Sequence, residues 1–187
     1  MTQPILITGG AGYIGSHTAV TLMEAGHRVV LVDNLCNSSA RVLDRLRRLC
    51  GDAFEFVQAD VRDGAALDAL FEHQTIASVI HFAGLKAVGE SVAQPLRYFD
   101  HNVGGTISLL QAMERAGVRR LVFSSSATVY GDPASVPIPE TAPLTATNPY
   151  GRTKLVCEDL LRELTHADAR WQVAILRYFN PVGAHAS

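Results

Sequence analysis

The sequence has no apolar run near the ~20 residues needed to cross a bilayer. Its first residues, Met1-Thr2-Gln3-Pro4, lack a basic n-region, and the apolar run Ile5 to Ile7 is too short for a signal peptide. Neither a targeting segment nor a membrane partner is expected. Cysteine is scarce: Cys36, Cys50 and Cys157 are odd in number, widely spaced and in no CxxC pairing. They read as reduced thiols of a cytoplasmic protein. His17, His27, His73, His81, His101, His166 and His185 show no i, i+4 pair and no Cys/His metal spacing, so no metal is expected. Charge of one sign is also missing. Sixteen basic residues face eighteen acidic ones, which leaves no electrostatic footprint for nucleic acid. The densest basic stretch, Arg41 to Arg48, alternates with leucines and reads as the wet face of a helix. Internal repeats and low-complexity tracts are absent as well.

What is present suits one compact domain spanning residues 1–187. The chain is 48% hydrophobic with 15 glycines. At this length it buries about 70% of its extended surface without a disulfide or metal. Short apolar runs alternate with longer amphipathic stretches. Strands are predicted at Ile5–Thr8, 28–32, 55–58, 78–82, 120–124 and 172–177, and helices at 13–25, 40–49, 65–73, 95–116 and 149–165. Residues 131–148, with four prolines, read as loop. Apolar runs without polar alternation belong to strands buried on both faces. The alternation therefore predicts an α/β fold: a Rossmann-like, doubly wound parallel sheet of six or more strands with helices on both faces.

After the first strand comes Thr8-Gly9-Gly10-Ala11-Gly12-Tyr13-Ile14-Gly15, a G-x-x-G-x-x-G pattern where a helix begins. Such a loop lets backbone N–H groups approach a pyrophosphate, and the helix N-terminus favours its charge. Glycines also make plain turns, so the motif gains weight from its context. Asp33 stands at the end of the second strand, eighteen residues past Gly15. A carboxylate there can bind both hydroxyls of an adenosine ribose and repels a 2′-phosphate. Asn34 follows where an NADP site more often has arginine. The cofactor expected is NAD.

Ser124, Ser125 and Ser126 close the fifth strand, at the carboxyl edge where open α/β sheets place ligands. Tyr150-Gly151-Arg152-Thr153-Lys154 opens the last helix, with the phenol and ammonium at i and i+4 on one face. A nearby positive charge favours the phenolate and lowers the tyrosine pKa. Tyr150 is thus a candidate base, with Ser126 holding the same hydroxyl, for hydride transfer at a carbon bearing oxygen.

The wide glycine spacing, Asp60-Val61 after the third strand and His81-Phe82-Ala83-Gly84 after the fourth resemble the extended short-chain dehydrogenase/reductase family. Residues 31–38, 81–91, 124–131 and 176–184 resemble its UDP-glucose 4-epimerase branch. The resemblance implies a cofactor set of Gly9, Gly12, Tyr13, Ile14 and Gly15, then Asp33, Asn34, Leu35, Cys36, Asn37 and Ser38. Asp60 and Val61 would flank the adenine. Phe82, Ala83, Gly84, Leu85 and Lys86 would line the nicotinamide half, joined by Asn102, Ser124, Tyr150, Lys154 and Phe179. A helix N-cap is the plainer reading of Asp60, and a core position that of Phe82. Lys86, Ser126, Tyr150 and Asn180 would meet the nucleotide sugar. Where the family often reads Asn-Asn this chain has His101-Asn102, and Asn102 is the contact expected.

By this resemblance, Tyr150 takes the sugar 4-hydroxyl proton with Ser126 assisting, and a 4-keto sugar turns in the pocket before reduction on its other face. Lys154 would hold the nicotinamide ribose. The related dehydratases place an acidic pair after the active-site serine or threonine. Ala127 and Thr128 stand there instead, which favours epimerisation of UDP-glucose and UDP-galactose. Family members continue into a smaller domain that grips the uridine diphosphate, and only His185-Ala186-Ser187 follow Ala184 here. The C-terminal substrate domain is therefore expected to be absent, and the chain alone weakly active or inactive. A binding-only dinucleotide module, and an epimerase or dehydrogenase of a related nucleotide sugar, remain alternatives. The helices at 95–116 and 149–165 correspond to the family's dimer bundle, implying a homodimer.

Overall fold

A computed structural model describes residues 3–186; Met1, Thr2 and Ser187, at the ends of the expected domain, lie outside them. Six strands form one parallel sheet: β1 (Ile5–Thr8), β2 (Val29–Asp33), β3 (Phe54–Gln58), β4 (Ser78–His81), β5 (Arg120–Ser126) and β6 (Gln172–Tyr178). Their spatial order is β3-β2-β1-β4-β5-β6. The expected doubly wound sheet is therefore observed. All five residues of β2, VVLVD, are buried, as an unalternating run inside a two-sided sheet must be.

The helices are α1 (Tyr13–Glu24), α2 (Arg41–Cys50), α3 (Gly64–His73), α4 (Val88–Ala93), α5 (Pro95–Phe99), α6 (Gly105–Arg115) and α7 (Pro149–Ala167). One face of the sheet packs Leu6, Val79, Leu121 and Phe123 against Leu67, Leu109, Met113 and Leu161 of α3, α6 and α7. On the other, Ile7, Val29 and Leu31 pack under Ala19, Val20 and Met23 of α1 and Leu43 and Leu46 of α2. Arg41, Arg45, Arg47 and Arg48 lie exposed on α2 while its leucines 43 and 46 are buried, so the basic stretch is a solvated face.

Two departures from the expected elements occur near the site. α4 lies in a stretch where no element was expected. The expected helix over 95–116 is instead α5, a wide π turn (Asp100–Gly104) and α6. A π turn admits an extra residue and re-aims the side chains in it, a feature frequent at functional sites. Here it turns Asn102 inward to 2% exposure. Gly105 follows because a Cβ there would stand 2.9 Å from Val61 Cγ2.

A buried histidine braces the sheet where β1 meets β4. Thr106 Oγ1 donates to the Asn102 carbonyl at 2.6 Å, so it accepts from His81 Nε2–H at 3.0 Å. His81 Nδ1 then accepts from Thr8 Oγ1 at 2.6 Å. Burial, and next the Lys154 charge, push the imidazole down to about 3 from 6.5. A depressed folded pKa gives stability that is present above the unfolded value and lost as pH falls. Unfolding stability should thus decline below pH 6.5, by up to about 1.4 kcal/mol per pH unit. Chemical denaturation of wild type and His81→Gln at several pH values checks this: the variant should show a flatter decline, and equal slopes would contradict a neutral buried His81.

Candidate active site

The strand order reverses between β1 and β4, so the loops leaving their carboxyl ends diverge and open a crevice. The crevice is a cleft of about 1080 Å³ that includes open solvent. Its floor is the glycine loop. Gly9 sits at φ +68, and a Cβ on it would stand 2.7 Å from the Ala83 backbone nitrogen. A Cβ on Gly15 would stand 2.2 Å from the Gly9 carbonyl oxygen. Gly12 caps α1 without a side-chain hydrogen bond, and no acidic residue occupies the first turn. The N–H groups of that turn therefore remain for an anion, in the positive field of the helix end.

Asp33 stands beside this loop. Its Oδ2 accepts from the Ala11 N–H at 3.0 Å, and its Oδ1 from the Leu35 N–H at 2.9 Å and Ser38 Oγ at 2.8 Å. An ionised carboxylate offers about four acceptor positions, so these bonds leave limited room for a ribose hydroxyl unless Ser38 turns aside. Asp60 is held harder. Arg62 donates to it from its backbone N–H, Nε and Nη2, and Asn34 donates from Nδ2 at 2.9 Å. The Arg62 hydrogen bonds hold the Asp60 carboxyl well below the usual carboxylate range, overcoming burial. The helix cap considered for Asp60 belongs to Asp63, which accepts from the Ala66 N–H.

The other end of the cleft is formed by β5 and α7. Asn148 caps α7 by accepting from the Gly151 N–H at 2.8 Å, and Pro149 fills its first turn. Gly151 lets the helix seat on the short 3-10 turn Ala127–Tyr130, since its Cβ would meet the Thr128 carbonyl oxygen at 2.8 Å. Ser126 Oγ accepts from the Thr128 N–H at 3.2 Å and from Thr128 Oγ1 at 3.0 Å, leaving its own O–H to donate elsewhere. Thr128 thus orients Ser126. Lys154 is buried; its Nζ donates to the Ser124 carbonyl at 2.9 Å and lies 4.9 Å from the centre of the Phe123 ring. Burial pulls the ammonium below the ordinary lysine value.

One expectation is corrected here. The phenol of Tyr150 was expected to be lowered by Lys154. Burial instead pushes it up, and the bond that opposes burial comes from the Ser126 hydroxyl. The Lys154 ammonium is directed at the Ser124 carbonyl and the Phe123 ring.

A glycine-rich loop, the Asp33 carboxylate and the Ser124, Tyr150 and Lys154 edge thus meet in one crevice. A profile of the NAD dependent epimerase/dehydratase family matches residues 5–187. The chain belongs to this family. It is 58% identical over 183 residues to a UDP-glucose 4-epimerase of Bacillus subtilis, covering 98% of this chain and 54% of that protein. A UDP-glucose 4-epimerase of Dictyostelium discoideum is 57% identical, with 98% and 53% covered. Among solved structures, the Stenotrophomonas maltophila UDP-glucose-4-epimerase with bound NAD and formylated UDP-arabinopyranose matches with TM-score 0.96 and 56% identity. That match covers 99% of this chain and 55% of the other. The Bifidobacterium longum UDP-glucose 4-epimerase in complex with NAD+ and UDP gives 0.95 and 49%, with 97% and 55% covered. The chain spans about half the length of the curated relatives it matches.

Within this family chain, the expected residues of the glycine loop, the Asp33 strand end, Asp60, Val61 and the loop after β4 line the one cleft with Ser124, Tyr150 and Lys154. Leu35, Asn102 and Phe179 do not. Leu35 contributes its N–H to Asp33 from a backbone at φ 60. Asn102 exchanges hydrogen bonds with both backbone groups of Leu85 and donates to Thr153 Oγ1, so it braces the loop from behind. Phe179 is 61% exposed, and Asn180 is exposed beside it beyond β6. Ser126 is buried behind the cleft lining. His101, set aside in favour of Asn102, does line the cleft, with its Nδ1–H on the Arg97 carbonyl at 2.9 Å. No sequence spacing announces this, because the π turn sets which of the two residues faces outward. Val32 and Ala59 also line the cleft unread. Among the described residues no group of three or more His, Cys, Asp or Glu side chains could hold a metal.

The close approaches make a sharp prediction. Gly15→Ala should lose about 2–4 kcal/mol by denaturant unfolding, since loop and helix must separate. Gly89→Ala, whose Cβ meets nothing within 4 Å, should be neutral or stabilising. Equal effects would contradict the tight loop.

Proposed function

We propose that the chain carries the NAD-binding and proton-transferring half of an enzyme that epimerises carbon 4 of a UDP-hexose, UDP-glucose and UDP-galactose being the substrates. The carrying observation is Tyr150 beside Ser126, with Lys154 behind, at the far end of a cleft floored by the glycine loop. Its residues fit a dinucleotide, because Gly9 and Gly15 let the loop fold closely on itself and on Ala83, and the first turn of α1 carries neither a side-chain cap nor an acidic residue against a phosphate. Gly12, Tyr13, Ile14 and Gly15 would hold the pyrophosphate, Asp33 the adenosine ribose, and Tyr150 and Lys154 the nicotinamide ribose. NAD, when bound, supplies a reversible hydride acceptor and a positive charge near the phenol. That charge, added to Lys154, would lower the raised Tyr150 toward the range of a base. Ser126 would turn its O–H from the Tyr150 phenol to the sugar 4-hydroxyl oxygen while Tyr150 takes the hydroxyl proton, and the same pair would return it after the 4-keto sugar turns. Ala127 and Thr128 offer no carboxyl for water elimination, which favours epimerisation over dehydration.

The relatives named above are nearly twice as long, and the two solved structures among them hold formylated UDP-arabinopyranose or UDP beside NAD. Turnover by these residues without further sugar contacts should be weak. The decisive experiment incubates the NAD-loaded chain with UDP-galactose and follows UDP-glucose by chromatography and absorbance at the reduced-nicotinamide band. Trace epimerisation, abolished at least about 100-fold by Tyr150→Phe with NAD still bound, is the expected result. Release of stoichiometric free NADH would make the chain a dehydrogenase instead.

A homodimer is part of this proposal. Val92, Leu96 and Ile107 are 63%, 86% and 40% exposed on α4, α5 and α6, apolar side chains that a second copy would cover. Leu96→Arg should convert a dimer to a monomer in light scattering, and an unchanged mass would contradict it. No helix among the described residues is long and apolar enough to cross a membrane. A cytoplasmic location is supported by the three free thiols, Cys36, Cys50 and Cys157.

A further inference from the structure

One buried carboxylate has no part in the chemistry above. Glu158 lies on α7, four residues past Lys154 and eight past Tyr150, and is 0% exposed. Its Oε1 accepts from Ser125 Oγ at 2.6 Å and Arg177 Nε at 3.0 Å. Its Oε2 accepts from Arg177 Nη2 and Arg162 Nη2, each at 2.7 Å. Burial pushes the carboxyl up, but the hydrogen bonds of Arg177 and Ser125 and the Arg177 charge outweigh it and hold Glu158 ionised. Arg177 also donates from Nη1 to the Tyr130 hydroxyl at 2.8 Å.

The placement of these partners matters more than their number. Ser125 and Arg177 are register neighbours on β5 and β6. Ser125 sits between Ser124, whose carbonyl receives Lys154, and Ser126, which pulls on the Tyr150 phenol. A buried ion pair is weak evidence for stability, because desolvating its charges costs several kcal/mol. It does restrict geometry: a bidentate arginine fixes a carboxylate in two directions, where apolar contacts would let a helix slide or roll.

We propose that Glu158 is a positioning residue: through Ser125 and Arg177 it fixes the seat of α7 on the ends of β5 and β6, and thereby aligns Tyr150 and Lys154 for the nicotinamide half of the cofactor. This rests on the reading of Tyr150 and Lys154 as that end of an NAD site. The adenosine end, built from Asp33 and the glycine loop, does not touch the clamp.

The test is titration calorimetry of the full chain with NAD and with ADP, which reaches only the adenosine end. Glu158→Gln should weaken NAD about tenfold while ADP affinity stays within about twofold. Lys154→Ala, which removes the positioned group itself, should show the same split. Ser125→Ala keeps the Glu158–Arg177 pair and should weaken NAD about threefold, and it carries the test if Glu158→Gln does not fold. Parallel loss of both nucleotides in Glu158→Gln and Ser125→Ala, or loss of neither, would overturn the proposal. Wild type that binds neither nucleotide would instead overturn the cofactor reading on which it rests.

Discussion

The reversal of strand order beside β1 is the constraint on which everything else depends. With β2 on one side and β4 on the other, the chain leaving β1 turns toward one face and the chain leaving β4 toward the other. A crevice must open between them at the carboxyl edge. What fills it is decided by how closely backbone can approach backbone there. Gly9 and Gly15 bring the loop after β1 against Ala83 and against itself, so the first turn of α1 faces the crevice with its N–H groups free.

The second half of the sheet supplies the reactive end by a different means. It relies on buried polar groups rather than on absent side chains. His81 ties Thr8 to Thr106, Asn102 ties Leu85 to Thr153, and Glu158 ties Ser125 to Arg177. Each link crosses from one element to another, and each is satisfied within the protein. Such groups are costly when half satisfied, so a complete set selects one seating of α6 and α7 over its neighbours. Tyr150, at the start of α7, is raised by its burial.

Local chemistry was legible in the sequence, and long-range chemistry was not. Gly9, Gly12, Gly15 and Asp33 could be read because strand, loop and helix are adjacent in the chain and their periodicity shows the junction. Tyr150 and Lys154 could be read because four residues make one helical turn. The state of that pair could not: the phenol is raised because the cleft buries it, and the lysine finds Ser124 thirty residues away. Which of His101 and Asn102 lines the cleft could not be read, because a π turn leaves no signature in the pattern of leucines. Glu158 with Arg177 was invisible for the same reason as Asn102 with Leu85, since only tertiary packing brings residues 19 and 17 positions apart together. The sheet itself was predictable nearly residue by residue, because β1 and β2 are too apolar to be anything but doubly covered.

The central claim is that glycine loop and Ser/Tyr/Lys edge are two ends of a single dinucleotide site. A crystal structure of the chain grown with NAD tests it most directly. The account predicts the pyrophosphate on the first turn of α1 and the nicotinamide ribose within hydrogen-bond distance of both Tyr150 and Lys154. A dinucleotide anchored at the glycine loop, with its nicotinamide ribose directed away from Tyr150, would contradict it.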